Sequence, residues 1–256
     1  MTGRRPEEDA PRRSSARGTR PSMYSGGRVT ACTFDCYGTL IDWRAGIDEN
    51  LGQMLRDRGY HGAESVYEAY TTVERQEETR YASYRTILAT SAIRVGERLR
   101  VRLPAEDARR FAESLPSWPA FEDTVEGLRA LGRLGIRRII LSNVDRALLE
   151  ATLRRSHLEV DGFVTAEDVR SYKPEGAHWL RYFQEYPEDR GTTWHVAHSW
   201  FHDIVPAQRL GLPTVWVDRY SEPRPRSVRP DFTVRDLRGL IRLVRRNPTS
   251  GADSTA

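Results

Sequence analysis

From Pro119 onward short apolar runs alternate with amphipathic stretches, and this rhythm restricts the fold more than any other feature of the chain. IRRIILSN from Ile136, FVTA from Phe163, TTWHVAHS from Thr192 and PTVWV from Pro213 read as strands. Between them, helices are expected over about Phe121 to Leu134, closed by Gly135, over Arg146 to Arg155, from Pro174 onward, and over Ile204 to Leu210. RVTACTF, Arg28 to Phe34, supplies an earlier buried strand, DFTV at 231–234 an edge strand, and Asp236 to Val244 a closing helix. Parallel strands require crossovers of this kind, so the pattern predicts an α/β fold with a doubly wound parallel sheet.

One block breaks the rhythm. From Ala45 to Ser117 only helical spacing is found. Ile47, Leu51, Met54 and Leu55 mark a first helix that stops at Gly59. A second runs from about Ala63 through Leu88, with Val66, Tyr70, Val73, Tyr81 and Tyr84 as its stripe, and a third begins after Pro104 and carries Ala108, Phe111 and Leu115. The expected organisation is a core of residues 28–44 and 119–245, an inserted all-helical cap over 45–118, and disordered tails at 1–27 and 246–256.

Composition excludes several function classes. Nowhere do about 18 apolar residues run together, so no membrane span is expected. No apolar segment follows the arginine pairs at Arg4 and Arg5 or Arg12 and Arg13, which argues against an export signal and for the cytoplasm. The net charge of +4 owes much to the ends, through Arg17, Arg20, Arg242, Arg245 and others, and no basic stripe interleaved with aromatics points to nucleic acid. Cys32 and Cys36 lie about 13 Å apart at strand rise, too far for a disulfide. Of the 40 basic residues only Lys173 is a lysine. A compact ammonium can sit against single carboxylates where a guanidinium fork cannot, so that position is expected to need lysine chemistry.

The reactive residue types fall at strand ends. Asp35 follows the first strand within FDCYGTLIDW, Phe34 to Trp43; Ser142 and Asn143 end another strand; Lys173 lies beyond the next; His202 and Asp203 follow the strand from Thr192. Carboxyl ends of parallel strands share one edge, so these residues can meet in one crevice. No Walker loop and no GxGxxG is present.

With these four blocks in order, over about residues 29 to 219, the chain resembles the haloacid dehalogenase superfamily and, within it, the L-2-haloacid dehalogenase group. The matching segments are FDCYGTLIDW, LSN at 141–143, Lys173 with Pro174, and HVAHSWFHDIVPAQRLGLPTVWVDR from His195. The resemblance implies a Rossmann-like core with a helical cap and a nucleophilic Asp35. Lys173 would hold that carboxylate in place and ionised, and Asp203 would orient Lys173 or activate water. Thr39 and Ser142 would supply hydroxyls, Ser142 to the substrate carboxylate, Asn143 an amide near the leaving group, and Arg75 the cap-borne arginine. Phosphatases of the superfamily carry a second acid two residues after the nucleophile, where this chain has Tyr37, and a further acid where it has Ser199. A halide needs no proton to leave, so carbon–halogen displacement without cofactor is the expected chemistry, on a small carboxylate substrate; a homodimer is compatible with it. Departures are His198 and Trp200, five and three residues before Asp203, where well-studied dehalogenases carry Ser and Asn. Both, with His202, are expected to line the pocket. Zinc held by His195, His198 and His202 is discounted, since the first two should point to opposite faces of a strand. The alternatives are a Mg²⁺-dependent phosphatase, a ring-opening hydrolase of the kind that acts on azetidine carboxylate, and a non-catalytic binding module.

Overall fold

The computed structural model describes residues 28–223, 225 and 228–247; the expectations for 1–27 and 248–256 lie outside them. Six strands form one parallel sheet: β1 (Ala31–Phe34), β2 (Arg137–Ser142), β3 (Gly162–Thr165), β4 (Thr193–Ala197), β5 (Thr214–Val217) and β6 (Phe232–Val234), in the order β3-β2-β1-β4-β5-β6. All of β1, β4 and β5 is buried, as expected where helices cover both faces. The chain leaves β1 toward β2 and β3, then crosses back to β4 on the other side. The strand order therefore reverses around β1, and Phe34 pairs with both Ile140 and Val196. That reversal opens a crevice at the carboxyl end of β1.

The inserted segment is helical as expected, with a different division. The single helix predicted from Ala63 to Leu88 is two, Val66–Glu77 and Tyr84–Arg98. Ser65 and Ser83 cap them, each accepting from a backbone N–H three residues on. The second is capped again from the sheet side: the Asp145 carboxylate accepts from Tyr84 N–H at 2.8 Å and Arg85 N–H at 2.9 Å. Local spacing cannot show a cap supplied from 60 residues away.

Other boundaries differ for local reasons. A helix Trp43–Ile47 starts at its cap Asp42 and runs through the expected border between residues 44 and 45. The helix predicted from Pro174 begins at Ala177, after a turn at residues 174–176. The helix predicted from Ile204 is Val205–Arg209, entered through a π-helical turn, Trp200–Ile204. A short helix, Ala166–Val169, held by a reciprocal Thr165–Asp168 capping box, was not anticipated. Arg246, expected in the tail, ends the helix Leu237–Arg246. Cys32 and Cys36 are buried free thiols.

Gly46 shows how closely the insertion packs. A Cβ at this position would come within 2.1 Å of the ring of Trp118, itself fully buried against Trp43 and Phe111. Gly46→Ala is expected to lower stability by about 1–3 kcal/mol through overpacking, read as a fall in the denaturant midpoint at unchanged slope.

Candidate active site

Residues from every strand end around the β1 crevice meet in a cavity of about 370 Å³, closed on the far side by the inserted helices. Asp35 is placed by its backbone N–H, which donates to Val196 O at 3.1 Å and continues the β1–β4 ladder one residue past the strand. Its carboxylate is held at both oxygens. Thr39 donates its hydroxyl to Oδ2 at 2.7 Å and accepts the His198 backbone N–H at 2.9 Å, while Lys173 Nζ reaches Oδ1 at 3.0 Å.

Lys173 bridges two acids, donating also to Asp203 Oδ1 at 2.6 Å. Its side chain and that of Asp203 are each 1% exposed. Behind Asp203 stands His195, whose Nε2 lies 3.1 Å from the same Oδ1. Trp179 Nε1–H can only donate, and it does so to His195 Nδ1 at 3.4 Å; the ring proton therefore sits on Nε2 and points at Asp203. The chain Trp179, His195, Asp203, Lys173, Asp35 thus runs from the packed interior to the cavity.

The electrostatics follow from one cation between two anions. Burial alone would push the Lys173 ammonium down, but Asp203 and Asp35 together hold it above its ordinary value. Burial would raise Asp203, yet Lys173 and His195 outweigh it and hold this carboxyl well below the usual range. At Asp35 burial prevails: with Asp203 adding to it and Lys173 and Thr39 opposing, the carboxyl lies above its ordinary 3.8. Lys173 thus favours the ionised form of Asp35, as expected of an opposite charge, while burial and Asp203 work against it.

The remaining candidates divide. Ser142 ends β2 at the cavity wall, its carbonyl accepting from His178 Nε2–H at 3.1 Å, and burial drops that histidine to about 3. Asn143, expected near the leaving group, lines the cavity, and its side chain also ties the Lys173 turn together. It accepts Lys173 N–H at 2.7 Å and donates at 3.2 Å both to Lys173 O and to Glu78 Oε1 of the insertion. Tyr37 borders the cavity, but its hydroxyl is 2.6 Å from Thr152 Oγ1 rather than aimed at a ligand. Arg75 lies on the wall as expected, its guanidinium 5.3 Å over the Phe201 ring. His198 donates Nδ1–H to Val217 O at 3.0 Å and faces Glu222 Oε2 with Nε2 at 3.5 Å. Trp200 packs on Trp216, centroids 4.6 Å apart. Ser199 accepts the His202 backbone N–H at 3.1 Å, and His202 Nε2 approaches Glu78 Oε2 to 3.1 Å without hydrogen-bond alignment. The three histidines considered for zinc therefore serve three different partners.

Sequence reasoning missed His195 as the support of Asp203, and Glu74, Glu78 and Glu222 as cavity groups. Glu74 and Glu78 sit at i and i+4 beside Arg75 on the cavity-facing side, a spacing that was available in the sequence.

A family model described as haloacid dehalogenase-like hydrolase matches residues 29–211. The chain belongs to the haloacid dehalogenase-like hydrolase family. A (S)-2-haloacid dehalogenase 4A of Burkholderia cepacia is 28% identical to it over 242 residues, 88% of this chain and 98% of that protein. A (S)-2-haloacid dehalogenase of Pseudomonas sp. strain CBS-3 is 26% identical over 79% of this chain and 90% of its own length. The solved L-2-haloacid dehalogenase of Xanthobacter autotrophicus with chloropropionic acid covalently bound superposes with a TM-score of 0.72 at 20% identity, over 85% of this chain and 98% of that one, a likeness of fold.

Within this hydrolase the donor set does not suit Mg²⁺. Such an ion asks for several oxygen ligands, whereas Asp35 and Asp203 already share the Lys173 ammonium, and Ser199 stands where a further acid would be needed. Among the described residues no group of three or more His, Cys, Asp or Glu could hold a metal. No described helix is long and apolar enough to cross a membrane.

Asn143→Ala removes three hydrogen bonds at the Lys173 turn. A loss of about 1–3 kcal/mol is expected in denaturant unfolding, larger than for a surface Asn.

Proposed function

We propose that this protein hydrolyses the carbon–halogen bond at the second carbon of small carboxylic acids, with Asp35 as nucleophile. The observation that carries the reading is the Asp35 carboxylate at the cavity wall with both oxygens fixed, by Thr39 and by Lys173. A carboxylate so oriented is paid for in advance of the reaction, which lowers the entropic part of the barrier. The activities named for the Burkholderia and Pseudomonas relatives support the same chemistry.

In this mechanism an Asp35 oxygen attacks the second carbon from the side opposite the halogen, the carbon–halogen bond breaks with its electron pair leaving as halide, and an aspartyl ester forms with inversion. Water then adds to the Asp35 carbonyl carbon and releases a 2-hydroxy acid. The halide of the first step leaves without a proton, in keeping with Tyr37 in place of an acid; in the second, one proton of the attacking water passes to the departing alkoxide oxygen of the hydroxy acid and the other is released as the Asp35 carboxylate re-forms. Lys173 and Thr39 hold the carboxylate, and Asp203, pinned by His195, keeps the ammonium on station and is the nearest anion to assist water. Ser142 and Arg75 meet the negative charge of the substrate. The helices of residues 45–118 act as the cap over the reacting centre.

Incubation with 2-chloropropionate, with and without EDTA, tests the reading: halide release insensitive to EDTA is expected, and phosphate release from a phosphate ester that requires Mg²⁺ would overturn it. Asp35→Asn should lose several orders of magnitude in kcat. Since attack needs the ionised form and the Asp35 carboxyl is raised, kcat/KM should fall on the acid side through an apparent value above 3.8. A limb at or below 3.8 counts against Asp35 as the titrating nucleophile.

A further inference from the structure

The Val66–Glu77 helix turns a polar stripe to the cavity. Tyr67, Thr71, Glu74 and Arg75 line it at spacings of three and four residues, and Glu78 follows at the helix end. A site for a short haloalkyl acid has no use for buried carboxylates opposite the nucleophile, since an apolar substituent leaves them without partners.

Following each charge shows which group is left over. Lys173 is committed to Asp35 and Asp203. Glu222 pairs with Arg44 at 3.1 Å. Glu74 accepts the Tyr84 hydroxyl at 2.5 Å and is driven upward by burial and by Glu78 beside it, toward its neutral form. Among the described residues Arg75 makes no ion pair. Glu78 remains: its side chain is 6% exposed, Oε1 accepts only the neutral Asn143 amide, and Oε2 has no hydrogen-bond partner, His202 Nε2 being close but misaligned. Trp200, also on the wall, has a buried indole N–H with no partner. A buried carboxylate oxygen with no donor is costly to keep, and a ligand that brings a donor recovers that cost.

We propose that the cavity is built for a zwitterionic substrate: a small carboxylic acid that also carries an ammonium group, the ammonium meeting Glu78 and the carboxylate meeting Arg75. The inference rests on the proposed function for the reacting carbon, but the charge selection it describes belongs to the cavity wall. A neutral side chain of equal length leaves Glu78 Oε2 unpaired, and a second anion is repelled by it.

Calorimetric titration of the full chain with two unreactive pairs tests this: 4-aminobutanoate against butanoate, and 3-aminopropanoate against propanoate. In at least one pair the amino acid should bind about tenfold to a hundredfold tighter, the worth of a hydrogen bond to a charged group. Glu78→Gln should reduce that preference to less than about threefold. Equal or tighter binding of the unsubstituted acids, no binding of either amino acid, or an undiminished preference in folded Glu78→Gln overturns the proposal; should that variant not fold, the wild-type comparison decides alone. Halide release from 2-chloropropionate, measured on the same preparations, reports separately on Asp35. Its absence with the amino preference intact would fail the proposed function and leave the cavity's selectivity standing.

Discussion

Everything in this site depends on one buried ammonium held between two carboxylates, Asp203 in the interior and Asp35 at the cavity wall. Desolvating three charges is expensive, and the attraction between them compensates only if the geometry is fixed. The fold fixes it from three directions. The Asn143 side chain grips both backbone atoms of Lys173, His195 supports Asp203 from below, and Thr39 holds the far oxygen of Asp35. A planar guanidinium with five donors would leave several unsatisfied in the same space, which accounts for the one lysine in a chain otherwise supplied with arginine.

The sheet and the membership of the site were legible because both rest on short-range rules. Apolar runs bounded by turns mark the strands, and the shared edge of a parallel sheet places Asp35, Ser142, Lys173 and Asp203 together from sequence alone. What was not legible depends on partners distant in sequence. The second cap helix is defined by Asp145, the role of Asn143 by Lys173 and Glu78, and the importance of His195 by Asp203 and Trp179. The opposing effects of burial and of a second carboxylate on Asp35 likewise appear only once the packing is known.

His198 and Trp200 are instructive departures from the family pattern. Neither ring hangs free in the cavity. His198 is tied to Val217 O and Trp200 is stacked on Trp216, so both lean back on β5 and its end. Polar side chains at those two positions would offer hydrogen bonds to whatever sits beside Asp35; the rings offer shape and, through His198 Nε2 and the Trp200 indole, two specific polar edges. The wall facing them carries Glu74 and Glu78.

The helix Tyr84–Arg98 takes part of its N-cap from Asp145, which belongs to the sheet side of the crevice. Any excursion that lifts the insertion away from the sheet strips that carboxylate from two backbone N–H groups and leaves Ser83 as the helix's own cap. A lost cap costs about 0.5–2 kcal/mol. Asp145 follows directly on the cavity residues Asn143 and Val144, so the start of this helix and one wall of the cavity are tied by the same short stretch after β2.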